Sequence, residues 1–200
     1  MSDTVIRTAT AADAEQCLAV LTLAFGSDPP CRWTWPDPHQ YLEAFPRFAR
    51  AFGGSALELG TAYYAERFAG VALWLPPGAA PDEASLVQVI QETVAEARKD
   101  AVFAIFEQME AFHPRDAHWH LPLIGVEPAH QGQGIGAALL RHVLSACDQQ
   151  QVLAYLEATS ARNILLYKRH GFEALGSIQV ADAPPVVPMV RKPRWPKTNT

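Results

Sequence analysis

Hydrophobic positions recur along this chain in two periods, and the switches between them mark out its elements. Val5-Ile6-Arg7 reads as a short opening strand. Thr10 with Asp13 three residues later is a capping-box pattern, which predicts a helix start. Ala14, Cys17, Leu18, Leu21, Ala24 and Phe25 then fall on one helical face that ends before Gly26. Between residues 26 and 38, Pro29, Pro30, Pro36 and Pro38 interleave with Trp33 and Trp35, and the reading is an ordered loop. A second helix is expected over 41–52. Two strands follow, over 57–66 and 70–75, joined by a tight turn and closed by Pro76-Pro77-Gly78. From 82 to 112, the sets Leu86/Val89/Ile90/Val94/Ala97 and Val102/Ile105/Phe106/Met109 predict two helical stretches bent near Asp100.

The last third alternates more regularly. Residues 118–126 are extended, 135–148 carry Leu140, Val143, Leu144 and Cys147 in helical register, and 152–158 are extended again. A strand, a crossover helix and a strand make the two strands parallel neighbours. Ser160 caps a helix over 161–170 that Gly171 closes, and strands over 172–180 and 188–192 complete the pattern. The expectation is one mixed α/β domain over 1–195, held loosely from Pro193 onward, with a free tail at 196–200.

Composition narrows the class. The chain has 200 residues, 49% hydrophobic and 18% charged, enough to build a core without metal or disulfide staples. Sixteen basic against 21 acidic residues give no general attraction to nucleic acid or anionic membrane. Three cysteines with no CxxC pair favour a reducing setting. The opening Met-Ser-Asp-Thr-Val-Ile-Arg lacks a basic flank followed by an apolar run, and no window approaches the ~18 apolar residues of a membrane span. A cytoplasmic protein is expected. Any anion it binds must be held locally.

Gln131-Gly132-Gln133-Gly134-Ile135-Gly136-Ala137, between a strand and a helix, suits such an anion. A helix N-terminus presents unpaired N–H groups, and glycines let a phosphate approach them. Gly132, Gly134 and Ala137 formally satisfy a dinucleotide-binding pattern, with Glu157 twenty residues further on. Two features oppose that reading. Five residues separate Val126 from Gly132, and too little chain follows Glu157 to complete a doubly wound sheet.

Gln131, Gly134 and Gly136 meet the Q/R-x-x-G-x-G/A signature, and the chain resembles the GNAT superfamily of acetyl-CoA-dependent N-acetyltransferases. Asn163 and Tyr167 look like that family's cofactor-arm Asn and its Tyr near the cofactor sulfur. Leu156-Glu157, Arg162-Asn163, Gly171-Phe172 and Met189-x-Arg191-Lys192-Pro193 look most like the puromycin N-acetyltransferase branch. The order of elements matches from about Val5 to Arg194. The resemblance implies a mixed sheet of six to seven strands flanked by helices and split between the fourth and fifth. It implies acetyl transfer to a primary amine of a small molecule, an antibiotic or other natural product, by direct attack in a ternary complex. Gly125, Val126, Gln131, Gly132, Gln133, Gly134, Ile135, Gly136, Ala137 and Asn163 would then hold acetyl-CoA, with a backbone N–H near Val126 on the thioester carbonyl. The enzyme would work as a monomer or homodimer.

Tyr167 stands four residues after Asn163, on the same helical face, and its phenol is a serviceable general acid toward a thiolate. Glu157 is the first candidate for the base; His118 and His120, on one strand face by period two, are the runners-up and are also expected among the acceptor-binding residues with Asp28 and Trp33. No third ligand lies at recognisable spacing from this His-x-His pair, and Trp119, Leu121, Pro122 and Leu123 cannot ligate, so no metal is expected. On the acceptor side, Trp33 and Trp35 read equally as pocket wall or core. Asp28 and Asp37 read as solvated turn residues or as attractors of a cationic amine. Cys31 has no activating neighbour at diagnostic spacing and reads as a packed thiol. A non-catalytic acyl-CoA-binding module and a protein or peptide acetyltransferase stand as alternatives; Tyr167 weighs against the first.

Overall fold

The computed structural model describes residues 4–194, so the expected 196–200 tail lies outside the described residues. After β1 (Ile6–Thr8), the Thr10 hydroxyl and backbone N–H both donate to Asp13 Oδ2 at 2.8 Å, ahead of α1 (Ala14–Ala24). The expected loop over 26–38 contains a short helix, α2 (Pro29–Thr34), and α3 (Pro38–Gly53) begins three residues earlier than the apolar pattern suggests. Both starts have the same cause. Asp28 and Asp37 accept N–H bonds from Cys31 and Gln40, and each is followed by a proline in the first turn, where no N–H is required.

The expected strand over 57–66 is also corrected. Its first part is a helical turn, α4 (Ser55–Glu58), and only β2 (Ala62–Ala65) is extended, after Gly60 reverses the chain at φ +68°. β2 joins β3 (Gly70–Leu75) through a 3-10 turn at Glu66–Phe68 rather than a tight hairpin. The long helical stretch divides into α5 (Glu83–Thr93) and α6 (Glu96–Phe112), broken at Val94-Ala95 rather than bent near Asp100. β4 (His118–Val126), α7 (Ile135–Gln150), β5 (Leu153–Ala158) and α8 (Ala161–Arg169) follow as expected. The strand expected over 172–180 shrinks to β6 (Glu173–Ala174) and a bridge from Ile178 to Val186, before β7 (Val187–Arg191). Past Pro193, expected to be loose, the Arg194 N–H still donates to Asp148 at 2.7 Å.

These strands form one seven-stranded sheet in the order β1-β2-β3-β4-β5-β7-β6, antiparallel except for the β4–β5 pair. One core, with Leu21, Phe45, Leu73 and Ile90, lies between the sheet and α1, α3 and α5; the other, with Leu139, Leu140, Leu156 and Phe172, lies under α7 and α8. The β4–β5 ladder runs only from His118↔Leu153 to Leu121↔Leu156. On its other side, β4 pairs Leu123 with Leu73 and His120 with Leu75, so β4 holds one extra residue, a bulge at Leu121–Pro122. The bulge flips the alternation: Leu121 packs into the α7 core and Leu123 into the α1 core. Pro122 has no N–H to offer either neighbour and sits where the sheet opens. The expected split between the fourth and fifth strands therefore has a local cause.

Candidate active site

Two cavities occupy that opening, one at either end, and they meet at Phe25, Asp28, Ile124, Asn163 and Tyr167. The first, a groove of about 1070 Å³, runs from Ile124–Val126 along the loop to the start of α7. Gly132 and Gly134 stand at φ +79° and +83°, with open space where a side chain would begin. Gly134 caps α7 without any side-chain hydrogen bond, so the first N–H groups of the helix, at Ile135, Gly136 and Ala137, face the groove without helical partners. Gln131 straps the loop in place: its amide donates to Val126 O at 3.2 Å and accepts from Arg162 at 3.0 Å. The Gln133 side chain turns back toward Ala129 O and does not line the groove, so any part it plays comes from its backbone.

The strand edge contributes donors as well. The Glu127 N–H donates to Ala69 O at 3.0 Å, toward β3. Alternation sends the N–H groups of Ile124 and Val126 to the opposite edge, into the opening. Gly125 has a packing role: a Cβ there would lie 2.6 Å from Ala24 Cβ, so its absence lets α1 sit directly on β4.

The second cavity is walled by side chains from distant segments, among them Trp33, Phe48, Phe52, Phe106 and Met109. Trp33 and Trp35 both line it, and Trp35 is at the same time buried core, with its indole N–H on Thr93. Asp28 is not a solvated turn residue: it is 8% exposed at the junction of the two cavities. It accepts from the Thr159 hydroxyl and from the Cys31 N–H, and among the described residues it has no ion-pair partner. Burial raises its pKa against those two hydrogen bonds. Cys31 is kept protonated by burial and by the Asp28 charge, which removes it as a nucleophile.

Tyr167 is 5% exposed and reaches both cavities from α8, where the Ser160 hydroxyl accepts the Asn163 N–H at 3.3 Å and fixes the first turn. Burial, reinforced by Asp28, pushes its phenol well above the ordinary value, so it stays protonated at neutral pH. Glu157, from β5, lines the second cavity. His120 Nε2 lies 3.0 Å from its Oε2 and His113 Nε2 lies 3.4 Å from its Oε1, yet Oε1 is buried without a hydrogen bond. Burial alone would raise the Glu157 carboxyl; the His120 charge and the two imidazole contacts outweigh it and hold it at about 2. His118 and His120, expected on the acceptor side, line neither cavity: His120 stands behind Glu157, and His118 pairs with Asp116 O at 2.9 Å.

His113, at the C-cap of α6, was not legible as a site residue, because no spacing links it to β4 or β5. Its arrival beside His120 and Glu157 makes a group of three possible ligands in which His118 has no part, with the ligand atoms within 4.8 Å of one another.

A split mixed sheet, a glycine loop opening a helix at the split, and a buried tyrosine at the meeting of two cavities are the features that the resemblance to N-acetyltransferases implies. Residues 91–174 match the acetyltransferase (GNAT) domain model. A Corynebacterium glutamicum structure described as histone acetyltransferase HPA2 and related acetyltransferase is 30% identical, with 98% of this chain and 100% of that one covered at a TM-score of 0.70. An uncharacterized N-acetyltransferase of Schizosaccharomyces pombe is 28% identical over 95% of this chain and 83% of its own length. The Drosophila melanogaster polyamine N-acetyltransferase, 15% identical with 95% and 100% coverage and a TM-score of 0.67, shares the fold. The chain belongs to the GNAT acetyltransferase family. Among the described residues, no helix is long and apolar enough to cross a membrane.

Proposed function

We propose that the chain is an acetyl-CoA-dependent N-acetyltransferase that acylates a primary amine carried on a compact apolar body, by direct attack in a ternary complex. The observation that carries this reading is the meeting of a backbone-lined groove and an aromatic cavity at Tyr167, Asn163 and Asp28. The open positive-φ glycines and the unpartnered N–H groups of α7 fit a pyrophosphate. Gln131 to Ala137 and Asn163 would hold the cofactor, and the N–H groups of Ile124 and Val126 are fixed in advance as oxyanion donors. When bound, acetyl-CoA supplies the thioester electrophile.

The protein's own groups divide the remaining work. Asp28, a buried carboxylate with no cation beside it, attracts the amine as its ammonium form. Glu157, a carboxylate held well below the ordinary range, does not keep a proton at neutral pH; it receives the one that the attacking nitrogen must lose and relays it to the His120 imidazole 3.0 Å away. Tyr167 Oη holds a proton at the junction for release to the leaving group. The walls at Trp33, Phe48, Phe52 and Phe106 exclude water and favour an arylalkyl or alkyl body. The arylalkylamine N-acetyltransferase 2 of Aedes aegypti, with the same fold at a TM-score of 0.68 and 14% identity, is named for such an acceptor. The puromycin branch remains a proposal resting on the β5, α8 and β7 motifs. The free thiols Cys17, Cys31 and Cys147 support a reducing, cytoplasmic setting, and residues 1–195 are read as one catalytic domain.

Calorimetric titration with acetyl-CoA, with NADH as control, followed by thiol release over a panel of arylalkylamines, alkylamines and a lysine peptide, tests the reading. Saturable acetyl-CoA binding and turnover with apolar amines are expected. Binding without turnover on any amine would leave an acyl-CoA-binding module in its place, and turnover on the peptide alone would overturn the acceptor assignment.

A further inference from the structure

We propose that His113, His120 and Glu157 form a binding site for one divalent transition-metal ion of the zinc type, beside the acceptor cavity. Three observations converge on it. The donor set is two imidazole nitrogens and a carboxylate, which suits Zn²⁺ with three protein ligands and an open fourth position. The donors are close to the required spacing: His120 Nε2 is 3.0 Å from Glu157 Oε2, His113 Nε2 is 3.4 Å from Oε1, and all lie within 4.8 Å of one another. A tetrahedral ion with ligands at about 2.0–2.2 Å sets its ligand atoms roughly 3.3 Å apart, so small side-chain rotations close the site. Finally, the Glu157 side chain is 4% exposed and its Oε1 has no hydrogen bond, its imidazole neighbour His113 Nε2 standing 3.4 Å away, so a cation would supply the closer contact that this buried acceptor lacks.

Independent elements bring the three ligands together. His120 precedes the β4 bulge and Glu157 faces it from β5; His113 closes α6, with its ring centroid 4.8 Å from that of His120. His120 and Glu157 are held by the sheet, and His113, 22% exposed, swings in from the helix end. Because Glu157 lines the acceptor cavity, a bound ion occupies the carboxylate that the proposed function assigns to the amine's proton. Metal and amine would compete there. That consequence rests on the proposed function; the binding does not.

The test measures binding alone, with no acetyl-CoA, amine or turnover. Tag-free full-length protein is stripped with chelator and titrated with Zn²⁺ against a chromophoric zinc chelator, and thermal melting is followed with and without Zn²⁺. One equivalent of Zn²⁺ is expected, with a rise in melting temperature. Loss of an outer partner of a metal ligand weakens affinity by about 10–100-fold, so loss of a ligand should exceed tenfold. His113→Asn and Glu157→Gln should each show that loss, whereas His39→Asn, at an exposed histidine, should bind as the wild type does. Circular dichroism of the metal-free variants establishes that they fold, and Glu157→Gln, which preserves volume, serves if His113→Asn does not. Failure of the wild type to take up an equivalent of Zn²⁺, or uptake undiminished in both ligand variants, overturns the site.

Discussion

The groove proposed for the cofactor and the cavity proposed for the acceptor share a boundary at Tyr167 but are built from different materials. The groove is mostly backbone: two left-handed glycines, the N–H groups opening α7 and the freed edge of β4, all within residues 124–137. The cavity is mostly side chain, assembled from α2, α3, α6, β4 and β5 and spread over more than a hundred residues of sequence. A backbone site suits what every cofactor of one kind presents in common, a phosphate in the proposed reading. A side-chain site is free to change its acceptor without disturbing that binding. Asp28 belongs to the second kind, and unlike Asp148, which is paired with Arg191 through both oxygens at 2.8 Å, it has no countercharge among the described residues.

The largest expected effect breaks the groove alone. Gly134→Asp forces a side chain into φ +83° and sets a carboxylate at the α7 N-terminus. The conformational and electrostatic penalties together should weaken acetyl-CoA binding by roughly 50-fold or more. Calorimetry would check this; binding within threefold of wild type would remove the loop from cofactor recognition.

At the boundary, Tyr167→Phe should lower kcat by about tenfold to a hundredfold while leaving the KM for acetyl-CoA nearly unchanged. The cavity wall is intact in this variant, so a matching rise in the amine KM would mean that the hydroxyl binds acceptor rather than delivering a proton.

The smallest effect falls on the cavity. Asp28→Asn should raise the amine KM by roughly tenfold while making the protein more stable, because folding buries a carboxylate that no cation compensates. The sign follows from linkage. A folded-state pKa raised above the ordinary 3.8 means that the native state binds more protons than the unfolded one over that window, so wild-type stability falls as pH rises through it. The titratable neighbours Cys31, Tyr41 and Tyr167 are all neutral there, their pKa values having been raised. Melting curves across mildly acid to neutral pH should show that slope in wild type and a flatter one in Asp28→Asn.

Local signals were readable in proportion to how local their causes are. The glycine loop, the Ser160 cap, the Asn163–Tyr167 spacing and the strand-helix-strand unit each need only neighbouring residues, and all were legible. The prolines of the 26–38 segment predict a loop when they are counted as helix breakers; position decides their effect, and behind the caps Asp28 and Asp37 they start helices. Residue 57 was read as strand because apolar burial looks alike in a short helix and a strand.

The sequence alone determined the order of elements after residue 118, the glycine loop and the helix that carries Tyr167, since backbone geometry and helical periodicity are set within a few residues. Only the tertiary structure decided that Asp28 is buried at the junction, that a bulge at Pro122 opens the sheet, and that His113 meets His120 and Glu157. Those outcomes depend on packing between segments far apart in the chain, and no local pattern records which of them will touch.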